Sequence, residues 1–96
     1  MTNETVLLTS TQQTLLGNLK ALILTDYKLV KRGFKSGTES LQYKEGAANT
    51  LSVLAGNTDN NGVMFQDAIK EVSRYYDYLI IGTNDQLQSA TEYFNI

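Results

Sequence analysis

Between Val63 and Ile81 the chain reads VMFQDAIKEVSRYYDYLII, and Phe65, Ala68, Ile69, Val72, Tyr75 or Tyr76, and Leu79 recur at spacings of three and four. Gln66, Asp67, Lys70, Ser73, Arg74 and Asp77 fall between them on the other side. At about 100° per residue this is the stripe of a core-facing amphipathic helix. Gly82 is a suitable residue to end it, and Asp59, Asn60 or Asn61 can cap its start.

The same reading extends to the rest of the chain. Leu15, Leu16, Leu19, Leu22, Ile23, Tyr27, Leu29, Val30 and Phe34 share one broad face, preceded by two candidate capping boxes, Ser10 with Gln13 and Thr9 with Gln12. Asp26 interrupts that face, and a buried unpaired carboxylate is costly. The expectation there is a break or kink in the helix, with a structural partner for the carboxylate as the alternative. The glycines of GFKSG at 33–37 mark a turn, and Ser36 with Glu39 forms a further capping box. Leu41, Tyr43, Ala47, Ala48, Leu51, Leu54 and Ala55 then make a less hydrophobic helical face. After the loop GNTDNNG at 56–62 and the long helix, Leu87, Ala90 and Phe94 space out a last short helix behind Thr83, Asn84 and Asp85.

These elements predict an all-α fold of one domain with helices at about 10–32, 38–55, 60–81 and 84–94, and residues 1–9 as a lead-in. A sharp turn at 33–37 gives a small antiparallel four-helix bundle. A nearly straight 10–55 gives a long helical hairpin. The one competitor for a strand is YDYLIIG at 76–82, rich in aromatic and β-branched residues.

Composition removes most chemistry. The 96 residues include no histidine and no cysteine, so the commonest general base, the thiolate nucleophile and the zinc–sulfur site are all missing. No glycine-rich phosphate loop or dinucleotide fingerprint is present. No catalytic residue, cofactor or metal ligand is assigned. Asn57, Asp59, Asn61 and Gly62 match the opening of a helix-flanked calcium loop, but Ala68 stands where the bidentate glutamate belongs. That loop reads as a turn and cap. With no apolar run of about 18 residues and no basic amino-terminal segment, a membrane span and a signal peptide are not expected. The default location is cytoplasmic, with leaderless export leaving no mark in the sequence.

What remains is surface. Net charge is −2, and the first half is basic and the second acidic, with Lys28, Lys31, Arg32 and Lys35 in one short run. Tyr75, Tyr78 and Ile81 gather large side chains at the end of the long helix. Tyr78, Ile81 and Leu24 lie off the core stripes, which suggests a second buried surface, with packing under the C-terminal helix as the alternative. The reading is a non-enzymatic protein–protein interaction module. It self-associates through this Tyr-rich surface, with the opposed charges setting orientation, or binds a larger protein partner. Nucleic acid is a weaker reading of the basic run, because only four charges are involved and no stacking aromatic accompanies them.

The glycine-marked hairpin and the closing segment DQLQSATEYF resemble, in length and helicity, the helical-hairpin proteins of type VII secretion systems. The Trp-x-Gly turn and the Tyr-x-x-x-Asp/Glu signal of those proteins are absent. Bacteriocin immunity proteins are similar at the same level, and that resemblance implies a partner-blocking role.

Overall fold

The computed structural model describes residues 8–55 and 60–96. Four helices follow one another: α1 (Ser10–Lys31), α2 (Gly37–Ala55), α3 (Asn60–Ile81) and α4 (Asn84–Phe94). No strand occurs among the described residues, and YDYLIIG continues α3 to Ile81 before the chain turns at Gly82. Consecutive helices pack antiparallel, and α3 touches all three others. The chain is therefore a small antiparallel bundle, and the long-hairpin alternative does not form.

Local chemistry explains the boundaries. Thr9, not Ser10, caps α1: Gln12 N–H donates to its hydroxyl and the Gln12 side chain accepts from Thr9 N–H. Thr83 and Gln86 repeat this box at α4, and Ser36 and Glu39 form one at α2. Hydrogen bonds from Ser36 hold the Glu39 carboxyl below the usual carboxylate range. α1 ends because Gly33 takes φ 81°, so that Gly33 N–H reaches Val30 O and Phe34 N–H reaches Leu29 O. That left-handed residue makes the turn sharp, and it reverses the chain into α2.

The core follows the α3 stripe. Phe65, Ile69, Val72, Tyr76 and Leu79 are buried against Leu16, Leu19 and Ile23 of α1, Ala48 and Leu51 of α2, and Ala90 and Phe94 of α4. Tyr76 is fully enclosed and meets Tyr27 and Phe94 edge-on, with ring centroids 6.4 and 6.5 Å away. Burial of their hydroxyls pushes the pKa of both Tyr76 and Tyr93 up to about 12.

Two sequence expectations change. α1 does not break at Asp26; the helix runs through it, and the carboxylate is buried with Oδ1 2.6 Å from Lys35 Nζ. The turn at Gly33 brings that lysine back over the last turns of α1, supplying the partner a buried charge requires. The face assigned to α2 is also rotated: Ala48 and Leu51 are buried, but Tyr43 and Leu54 are exposed. The side chain of Ala55 and the candidate calcium-loop positions Asn57 and Asp59 lie outside the described residues.

Phe65→Ala should destabilise the fold by about 3–5 kcal/mol, read from chemical denaturation, because it empties the centre of the α3 stripe. An alkaline titration followed by tyrosinate absorbance should show two of the six tyrosines ionising late. Because the folded-state values lie above the ordinary value of about 10, their contribution to stability is complete below that pH. It is lost as pH rises from about 10 to about 12, and Tyr76→Phe should remove one late phase.

Candidate functional site: an apolar groove between two helices

α2 meets α3 through polar side chains spaced four apart. The Ser40 and Tyr76 hydroxyls share a hydrogen bond of 2.5 Å inside the core. One turn on, the Lys44 ammonium, 4% exposed, donates to Ser73 Oγ at 2.7 Å and pairs with Asp77 Oδ1 at 2.7 Å. After Ala48 comes Ser52, whose hydroxyl bonds the Gln66 side chain, while Gln66 Nε2 donates back to Ser52 O at 2.8 Å. This seam turns Ser40, Lys44 and Ala48 toward α3. With 100° between successive residues, Tyr43, Gly46, Ala47, Thr50 and Leu54 are then carried roughly a quarter-turn round α2, onto the flank beside α1.

There they face α1 across an open trough of about 530 Å³, lined on the α1 side by Leu15, Asn18, Leu19 and Leu22. Toward the 33–37 turn the trough continues past Asn18, Leu22 and Tyr43 into a second hollow of about 610 Å³ with Thr25, Asp26 and Leu29. Leu22 is 51% exposed and Leu54 72%. Among the described residues no charged side chain lines the first hollow, and Asp26, held by Lys35, is the one charged residue lining the second. The Lys35 ammonium also lies 4.7 Å from the Tyr43 ring centre, closing that end. Asp26 Oδ2, buried beneath it, has no hydrogen-bond partner among the described residues.

The surface read from the sequence is placed differently. Tyr75 stacks on Tyr93 at 4.1 Å and takes the edge of Tyr78 at 5.6 Å, so α4 uses this aromatic cluster inside the chain. Leu24, Tyr75 and Tyr78 are partly buried against the core, and Ile81 alone of the four is exposed. The basic run is also engaged locally. Lys28 and Lys31 stand in the last turn of α1, where cations complement the helix dipole. Lys31 sits over Tyr27, Lys35 binds Asp26, and Arg32 forms the C-cap. Of these eight residues Lys28, Lys31, Arg32 and Ile81 are exposed, and Leu24, Lys35, Tyr75 and Tyr78 are partly buried.

The groove residues were within reach of the sequence. Leu8, Leu15, Leu22 and Leu29 repeat every seven residues along the edge of the α1 stripe, a spacing that marks a helix–helix seam. Between Thr5 and Thr25 the only charge is Lys20, and residues 46–58 carry none. No family model, curated protein or solved structure matches the chain.

Ser40→Ala should cost about 1–3 kcal/mol, because it strands the Tyr76 hydroxyl in the core. Adding Tyr76→Phe should recover part of that loss, and a double-mutant cycle on urea midpoints reads the coupling.

Proposed function

We propose that this chain is a non-enzymatic protein–protein interaction module that self-associates by burying the α1/α2 groove. One observation carries the reading: an open apolar groove runs between two well-formed helices and is almost free of charge among the described residues. Contiguous apolar surface of this kind is rare on proteins that act alone. Interface centres are also depleted in charge while their rims are polar. The groove takes over the role first read into Tyr75, Tyr78 and Ile81, because Tyr75 is stacked on Tyr93 of α4 and Tyr78 packs on Tyr75 and the core. Association through it needs no reactive group, which agrees with a sequence lacking histidine and cysteine.

A partner-blocking role through an acidic face has less support. On exposed α3, Asp67 and Glu71 alternate with Lys70, and Arg74 follows one turn later, so no field of single sign develops.

Sedimentation equilibrium should show a weight-average mass rising above the 10.7 kDa of one chain as concentration increases. Leu22→Glu with Leu54→Glu should hold the protein at that mass with helicity unchanged, since both side chains are exposed. Ile81→Ser should leave the association intact. A mass independent of concentration in the unaltered protein would refute the proposal.

A further inference from the structure

We infer that the occupant of the groove is the same groove of a second copy, placed so that α1 of each chain lies along α2 of the other. This rests on the self-association proposed above and adds the partner surface and its symmetry. The two walls of the groove differ. α1 presents the large side chains Leu15 and Leu22, whereas the middle of α2 presents the small residues Gly46, Ala47 and Thr50. A Cβ built on Gly46 meets nothing within 4 Å among the described residues, so none of these fills the space over that saddle.

A twofold axis running along the groove sets α1 of one copy over α2 of the other. Large side chains then face small ones on both sides, which is how facing layers interdigitate without voids. Every neighbouring pair among the four helices is antiparallel. An axis across the groove would instead set leucine on leucine and saddle on saddle, crowding one wall and leaving the other hollow.

Charge and area both favour a second copy. A charged amphipathic helix would bring ionised groups against a face with none to pair them, whereas this face brings Asn18, Gln42 and Thr50, which can hydrogen-bond one another. α2, the shorter wall, spans about 28 Å at 1.5 Å per residue. Two helices about 10 Å apart make a face about 20 Å wide. That is about 560 Å² from each copy and about 1,100 Å² in all, above the roughly 1,000 Å² that a specific interface must clear.

Gly46→Leu tests this directly. In the free chain the new side chain enters open space and replaces a poor helix former, so the melting temperature should hold or rise at a concentration where the unaltered protein is monomeric. The same change fills the saddle and should weaken association at least about 10-fold. Since the protein has no cysteine, singly substituted chains report the axis. A mixture of Asn18→Cys and Thr50→Cys chains should be joined by a short bis-maleimide better than Asn18→Cys chains alone. If the unaltered protein associates, and Leu22→Glu with Leu54→Glu prevents it, but Gly46→Leu has no effect or Asn18→Cys chains alone cross-link best, this arrangement is overturned and self-association stands. A fall in the melting temperature of monomeric Gly46→Leu also overturns it, because the space is then filled from within the chain. A monomer at every concentration overturns both.

Discussion

The seam between α2 and α3 decides how the remaining surfaces are distributed. Ser40, Lys44 and Ser52 reach Tyr76, Ser73 with Asp77, and Gln66, each within a turn or two of the next. A formed hydrogen bond adds only about 1 kcal/mol net, but leaving a buried donor or acceptor unmade costs about 1–3 kcal/mol. The seam therefore acts chiefly by penalising other rotations of α2. Turning the helix to bury Tyr43 and Leu54 would gain about 1.5–3 kcal/mol for each large side chain. It would also strand the Tyr76 hydroxyl and lose the Lys44 contacts. The polar seam and the exposed apolar groove are two sides of one rotational setting.

Features decided within a few residues were legible in the sequence. The α3 register, the turn at Gly33, the capping box of α2 and the limits of the last two helices depend on spacing, caps and glycine, all local. The fate of Asp26 depended on Lys35, nine positions away and near only because Gly33 reverses the chain. Helical phase alone puts a carboxylate on the wrong face there; the ion pair makes it the right one.

The α2 face misled for a related reason. Counting apolar positions assumes that the greasy side packs inward, and α2 is nearly balanced: Tyr43, Ala47 and Leu54 on one side, Ala48 and Leu51 with Ser40 and Lys44 on the other. What separates the two is the row of polar atoms on α3, invisible until the helices are paired. For the aromatic cluster at Tyr75 and Tyr78 the sequence left a partner surface and packing under the C-terminal helix open, because the residue that stacks on Tyr75, Tyr93, lies in a separate short helix.

Along α1 the residues that hold the bundle together and those that line the groove overlap only in part: Leu16 and Ile23 are buried in the core, Leu19 serves both, and Leu15 and Leu22 stand at the open edge. A lineage could rewrite Leu15 and Leu22 through successive neutral steps, changing the character of the groove, while Leu16 and Ile23 preserve foldability. Surface chemistry is thereby partly uncoupled from architecture at the level of adjacent codons.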